Sequence, residues 1–265
     1  MTRQSYVLPE KNLVVFWTPK AACTTISTAI CAKLLNLPQE EFSSETGGMR
    51  GWLRRSDYWK SGADALKLTK EHGYHTIGLI REPYDRLISA YLNKFVRNKS
   101  RDLDTLETLE PFARVFYQNV ILPRKGHTAE SQVPYEGLTF TEFVNAVCER
   151  IEARGANEPR LDHHWNTQIP FSFKDAGFKF DELYTLKSAD AFFERFGELT
   201  DSDIKNNKLN ATHYQEASNE NLCDVGSLEL IKLPSYSKKQ FRSPELESMV
   251  KKAFEIDYSY LADAK

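Results

Sequence analysis

Three times in this sequence, a short apolar run is followed directly by residues with helical spacing. The runs are rich in β-branched and aromatic residues, and they cover residues 13–18 (LVVFWT), 75–80 (HTIGLI) and 178–186. The segments after them place apolar residues on one side of a helix, over residues 25–37, 83–95 and 189–196. Alternating strands and helices predict an α/β fold with a central parallel sheet covered by helices on both faces.

The remaining sequence is predicted to complete a single domain over residues 1–265. Two more amphipathic segments are expected, a helix at 141–154 and a helix or helix pair at 244–262. Long insertions at about 39–73 and 98–160 interrupt the pattern, and the first is expected to be irregular and partly helical. With 41% hydrophobic and 27% charged residues, the chain has the composition of an ordinary soluble globular domain.

Charge, cysteine spacing and hydropathy exclude several classes of protein. The 35 basic and 37 acidic residues give a formal charge of −2, which argues against a protein that binds nucleic acid through bulk positive charge. Cys23, Cys31, Cys148 and Cys223 form no zinc-like spacing, so we expect reduced thiols and no metal. Because no secretory leader and no apolar run of about 18 residues is present, we expect no transmembrane segment. We therefore expect a cytoplasmic protein, or the soluble catalytic part of a longer one.

The first segment that carries chemistry is residues 14–27 (VVFWTPKAACTTIS), a strand, a turn and the start of a helix. The N–H groups of a first helical turn, the hydroxyls of Thr24 and Thr25 and the ammonium of Lys20 together favour an anion site. The alternative is an ordinary turn in which the threonines cap the helix and the lysine is solvated. A Walker A loop is excluded, because no glycine lies between Leu13 and Leu37.

The second segment is residues 79–95 (LIREPYDRLISAYLNKF). Arg81 follows a predicted strand, at the end where α/β sheets bind ligands, and Ser89 lies about two helical turns later. A guanidinium and a hydroxyl suit a phosphate group, because the planar fork of arginine matches phosphate geometry. The alternative is a structural arginine paired with Glu82 or Asp85.

Together, PKAACTT (19–25) and REPYDRLISAY (81–91) resemble the two nucleotide-binding motifs of the PAPS-dependent sulfotransferases. The resemblance is strongest to the carbohydrate sulfotransferase group that includes the chondroitin 4-O and HNK-1 enzymes, although Glu82 stands where that group usually has Asp. HHWNTQ (163–168) resembles an H-W-x-x-Q element of the family. Weaker likenesses are NATHY (210–214) and the terminal FEIDYSYL.

This resemblance implies a P-loop-like sulfotransferase fold, PAPS as the sulfuryl donor, PAP as the product, and no metal. Arg81 and Ser89 would bind the 3′-phosphate, and Lys20 would neutralise the charge on the bridging oxygen as the S–O bond breaks. The 5′-phosphosulfate would be held by the whole first motif, which is Pro19, Lys20, Ala21, Ala22, Cys23, Thr24 and Thr25.

A base is also needed to take the proton of the acceptor hydroxyl, and histidine suits this role near neutral pH. His164, in the HHW element, is the first candidate, followed by His163 and then His72. Glu45, a carboxylate of the first insertion, is a further alternative.

The same resemblance implies a carbohydrate as the hydroxyl-bearing partner, while a small-molecule, lipid or peptide hydroxyl stays open. The insertions at 39–73 and 98–160 would shape the acceptor site. The rival interpretations are another P-loop-like transferase or kinase, and a nucleotide-binding protein without sulfotransferase activity.

Overall fold

The computed structural model describes residues 4–37, 48–128, 133–153, 161–204 and 220–265. The strands are β1 Gln4–Leu8, β2 Leu13–Trp17, β3 Trp59–Ser61, β4 His75–Ile80, β5 Arg97–Asn98, β6 Arg101–Asp102 and β7 Glu182–Thr185. The helices are α1 Cys23–Thr28, α2 Gly48–Arg55, α3 Gly62–His72, α4 Pro83–Tyr91, α5 Pro111–Phe116, α6 Leu122–Arg124, α7 Phe140–Glu152, α8 Phe171–Asp175, α9 Ala189–Thr200, α10 Ser227–Leu230, α11 Pro244–Ala253 and α12 Glu255–Leu261. Three helices continue as π-helical turns, at Ala29–Leu34, Leu92–Val96 and Tyr117–Ile121.

Contacts along the backbone divide the chain into two compact units. The first combines Met1–Glu82, Thr167–Ala211 and Ile256–Lys265, and the second combines Pro83–Asn166 and Thr212–Glu255. The assignment of one domain to residues 1–265 stays a prediction. In the part of the chain that the structure describes, we find no helix with the length and apolar character needed to cross a membrane.

The first unit is built on a mixed five-stranded sheet in the order β3-β1-β2-β4-β7. β2, β4 and β7 are mutually parallel, as predicted, but β1 runs antiparallel to both β2 and β3. The expectation of a fully parallel central sheet is therefore wrong. The antiparallel direction of β1 has a local cause, because the turn Pro9–Lys11, with Asn12 in the left-handed region (φ 47°), reverses the chain between β1 and β2.

Helices cover both faces of this sheet, which confirms that part of the prediction. β2 alternates between the faces and is buried on both, with Leu13, Val15 and Trp17 on one and Val14 and Phe16 on the other. The first face packs against Ile26, Ile30, Phe192, Phe193 and Phe196, which come from the first helix and α9. The second packs against Ala65, Phe173 and Ile256, which come from α3, α8 and α12.

The second unit is mainly helical and has an aromatic core. Phe95, Phe143 and Trp165 pack with their ring centroids 5.6–5.8 Å apart, and Phe116 joins them. α7 begins with a capping box in which the Thr139 hydroxyl accepts from the backbone of Glu142 and the Glu142 carboxylate accepts from that of Thr139. This cap and the buried apolar face of α7 confirm the amphipathic helix that the sequence predicts there.

Two predicted segments differ in detail. The described part of the first insertion is regular rather than irregular, because α2, β3 and α3 follow one another from residue 48. α9 continues past Gly197 and ends at Thr200. Gly197 does not terminate the helix; it lets the backbone of Ser202 approach, since a Cβ there would lie 2.7 Å from that carbonyl oxygen.

The carboxylate of Glu182, on β7, contacts four polar side chains of the first unit. Its Oε1 accepts from Arg195 Nε at 2.8 Å and lies 3.0 Å from His75 Nε2, and its Oε2 accepts from the Tyr184 hydroxyl and from Lys265 Nζ. Burial alone would raise the pKa of this carboxyl, but the four neighbouring donors outweigh it and hold the pKa at about 2.

Glu182→Gln should therefore lower the free energy of unfolding by about 2–3 kcal/mol at pH 7. The carboxylate is charged in both folded and unfolded chains above about pH 4.5, so its advantage is complete there and is lost as the pH falls towards 2. Urea unfolding of the wild type and the variant at pH 7 and at pH 3 measures the difference in free energy of unfolding at each pH. Glu198→Gln, which removes an exposed partner of Arg195, should cost less than about 1 kcal/mol. If the free energy of unfolding of Glu182→Gln differs from that of the wild type by the same amount at pH 7 and pH 3, this assignment is contradicted.

Candidate active site

The loop between β2 and α1 has an unusual backbone for a segment without glycine. Lys20 (φ 69°) and Ala22 (φ 51°) are both left-handed, whereas Ala21 between them is not. Left-handed conformations cost L-residues roughly 1–2 kcal/mol each, and such strain concentrates at functional sites. Alternating handedness turns successive N–H groups towards one concave side, which favours anions.

Helix α1 begins directly after this loop, at Cys23. Pro19 and Ala21 are buried, and Lys20 and Ala22 are half-buried. In the first turn of the helix Thr24 is half-buried and Thr25 is 7% exposed. First-turn N–H groups have no partner within a helix, and the helix dipole adds partial positive charge there. These features favour an anion at the start of α1, and anion binding by this segment stays a prediction.

Arg81 lies next to this loop. It follows β4, which is parallel to and paired with β2, so the carboxyl ends of both strands lie at the same edge of the sheet. Its Nη1 donates to the carbonyl oxygen of Lys20 at 3.1 Å, and the residue is only 8% exposed. The structure thus brings together the cationic residues of the first and second predicted segments.

A third cation near the loop was not predicted. Arg50, on α2, donates from Nη1 to Cys23 Sγ at 3.6 Å, and its guanidinium lies 5.5 Å from the centre of the Trp17 ring. α2 itself carries three arginines, and it follows a polar stretch without a basic residue. Nothing in the sequence distinguishes Arg50 from Arg54 or Arg55, because the distinction depends on how α2 packs against α1.

In the second unit, Ser89 lies half-buried on α4, in the same helix as Arg86. Arg86 is fully buried, and its guanidinium donates to the carbonyl oxygens of His163 (2.5 Å) and Asn166 (2.7 Å). This matched residue of the second motif therefore holds the turn that carries the HHW element. The part of Ser89 in phosphate binding stays a prediction.

His164 is held by Asp162 in that turn. Its Nδ1 lies 2.6 Å from Asp162 Oδ1, and its ring stacks on Phe112 with 4.8 Å between centroids and 5° between planes. Burial alone would raise the pKa of Asp162, but the hydrogen bond with His164 and the charges of His163 and His164 outweigh it and lower that pKa. An imidazole anchored through Nδ1 presents Nε2 as its basic nitrogen.

Asp162, His163 and His164 also form a group with the chemistry of metal ligands. One ligand atom of each lies within 4.8 Å of the others. The short Nδ1–Oδ1 distance between His164 and Asp162 is that of a hydrogen bond, and a metal would have to replace it. The expectation that no metal is required stays a prediction.

His72, a further candidate base, is not brought to the loop. His72 is exposed and ends α3, on the side where β4 begins, whereas Arg81 follows the other end of that strand. Six strand residues separate the two ends by roughly 20 Å. Glu45 and the NATHY segment (210–214) lie outside the described residues.

Comparison with known proteins identifies the family of the chain. A sequence model of the sulfotransferase family matches residues 3–261, which is nearly the whole chain. No curated protein and no solved structure gives a significant match. The chain therefore belongs to the sulfotransferase family.

Proposed function

We propose that this sulfotransferase moves a sulfuryl group from PAPS to a hydroxyl group of a carbohydrate and releases PAP. Family membership supports sulfuryl transfer, and the resemblance of residues 19–25 and 81–91 to PAPS-binding motifs supports the donor. The observation that carries the proposal is the hydrogen bond between Arg81 and the Lys20 carbonyl, because it joins the two segments that would bind the donor.

The residues at the strand ends fit the chemistry of this donor, which is anionic at both its 5′ and 3′ positions. The N–H groups of the loop, with Thr24 and Thr25, suit the 5′-phosphosulfate. Arg81 suits the 3′-phosphate, for which Ser89 is the second predicted ligand. Positive charge that is already fixed at these positions needs no reorganisation during the reaction. Such preorganised charge is the main source of catalysis in transfers of this kind.

In the transfer, the S–O bond to the 5′-phosphate breaks and a new S–O bond forms to the acceptor oxygen. Lys20 stabilises the negative charge that develops on the departing phosphate oxygen. His164 takes the proton of the acceptor hydroxyl at Nε2, while Asp162 holds the ring through Nδ1 and stabilises the imidazolium that forms.

Calorimetry with PAP, ADP and ATP, each with and without Mg²⁺, tests the donor. We expect PAP to bind most tightly, with no need for Mg²⁺. Arg81→Lys should weaken PAP roughly 10–100-fold, because lysine keeps the charge and loses the planar fork. Arg195→Lys, on α9 and paired with Glu182, is the matched control and should leave PAP affinity unchanged. A preference for Mg-ATP would contradict the proposal and favour a kinase or another nucleotide-dependent transferase.

A further inference from the structure

Gln168 is a buried glutamine whose side chain contacts both strand-end segments of the first unit. It is 1% exposed. Its Oε1 accepts from the backbone N–H of Arg81 at 2.9 Å and from the hydroxyl of Thr18 at 3.0 Å. Its Nε2 donates to the backbone carbonyl of Arg81 at 2.6 Å. The side-chain amide therefore pairs with both the backbone N–H and the backbone carbonyl of Arg81, as a neighbouring strand would.

These contacts account for the whole hydrogen-bonding capacity of the amide. Oε1 accepts twice, and Nε2 donates once to Arg81 and once, at 3.4 Å, to Asp257 Oδ2. The orientation of the amide is fixed, because a backbone N–H only donates and a backbone carbonyl only accepts. Thr18 stands two residues before Lys20, and its own carbonyl accepts from the N–H of Ala21. One side chain thus ties the start of the loop to the residue that carries the guanidinium.

Asp257, on α12, holds the backbone of Gln168 in place. It is fully buried, and its carboxylate accepts from the backbone N–H groups of Gln168 at 2.7 Å and of Ile169 at 2.8 Å. The next residue, Tyr258, donates from its hydroxyl to Glu82, directly after Arg81. The terminal helix therefore contacts Gln168 directly through Asp257, and through Tyr258 it contacts the residue after Arg81.

We propose that Gln168, held by Asp257, is a positioning residue that fixes the ends of β2 and β4 for donor binding. The inference rests on the proposed function, because it assigns the network to the site that would bind PAP. An apolar side chain could fill this space without needing partners, whereas a buried amide is tolerated only when it is fully paired. The pairs that it makes hold Thr18 and Arg81, so their effect is on the geometry of the loop and of Arg81.

Gln168→Met tests this role, because methionine has a similar length and can neither donate to nor accept from the Arg81 backbone. We expect faster amide hydrogen exchange at Arg81 and in residues 18–22 of the ligand-free chain, measured by mass spectrometry. We also expect calorimetry to show PAP affinity reduced about tenfold or more relative to wild type, because a small displacement of a binding group is costly. Thr18→Val removes only one of the contacts and should give a smaller change of the same kind. Gln240→Met, at a glutamine of the second unit that is 6% exposed and accepts from Ser237, is the matched control.

The exchange and binding readouts separate the two proposals. Wild-type protein that does not bind PAP would overturn the proposed function, and the exchange measurement would still test whether Gln168 holds the Arg81 backbone. Unchanged exchange at Arg81 in Gln168→Met would overturn that role of Gln168. Faster exchange with unchanged PAP affinity would overturn the positioning role. Gln240→Met should lower the melting temperature without changing PAP affinity. An equal loss of affinity in both variants would show a general effect of stability and would also overturn the inference.

Discussion

Lys20→Ala is expected to lower the rate of sulfuryl transfer about 10²–10³-fold while the chain stays folded. The ammonium of Lys20 is the fixed charge assigned to the departing phosphate oxygen, and it stands in a loop that is already in place at the end of β2. Alanine keeps the Cβ, so the backbone strain at φ 69° is the same in the variant as in the wild type. The rate is measured as transfer of radiolabelled sulfate from PAPS to a panel of carbohydrates, with circular dichroism as the test of folding.

Lys20→Gly and Lys20→Arg complete this experiment. Glycine relieves the left-handed strain and still removes the ammonium, so we expect a chain of equal or greater stability with the same loss of rate. Arginine keeps a positive charge and should retain part of the rate. Lys11→Ala removes an exposed lysine from the turn between β1 and β2, and it should be fully active. A normal rate in Lys20→Ala or Lys20→Gly would show that the lysine has no part in the reaction.

His164→Asn is expected to lower the rate about 10²–10⁴-fold, the usual contribution of a positioned general base. The rate of the wild type should fall on the acid side of its pH profile as the base is protonated, and this limb should be absent in the variant. Asp162→Asn should cause a smaller loss, because the amide still contacts Nδ1 but no longer stabilises the imidazolium. The measurement is the pH dependence of kcat at saturating PAPS.

Two other histidines provide the comparison. His127→Asn changes a histidine outside the three candidates and should leave the profile unchanged. His163→Asn changes the neighbouring ring, whose centroid lies 4.6 Å from that of His164. If His163→Asn removes the acid limb and His164→Asn does not, the base is His163. If neither variant changes it, both assignments are wrong.

The strand–turn–helix pairings were visible in the sequence because they depend on local periodicity. β2 and β4 lie where the apolar runs predicted them, and their parallel pairing puts the segments after Trp17 and Ile80 at one edge of the sheet. The direction of β1 was missed because it depends on the three-residue turn Pro9–Lys11. Its apolar residues face both sides of the sheet, Tyr6 and Leu8 on one and Val7 on the other, so the sequence does not show which strand it pairs with.

The contacts that complete the candidate site could not be predicted, because they join residues far apart in the chain. Gln168 and Asp257 are 89 positions apart, and the position of Arg50 depends on the packing of α2. The resemblance pointed to HHWNTQ and to the terminal FEIDYSYL as separate elements. The hydrogen bonds between Gln168 and Asp257 join these two elements, and no local pattern contains them.

The loop with left-handed Lys20 and Ala22 has a consequence for the thermodynamics of donor binding. Phosphate loops that depend on glycine can adopt many conformations when empty, and the ligand must select one of them at an entropic cost. Side chains with a Cβ restrict the backbone before any ligand arrives. Anion binding at this loop should therefore lose less conformational entropy than at a glycine-rich loop of the same length.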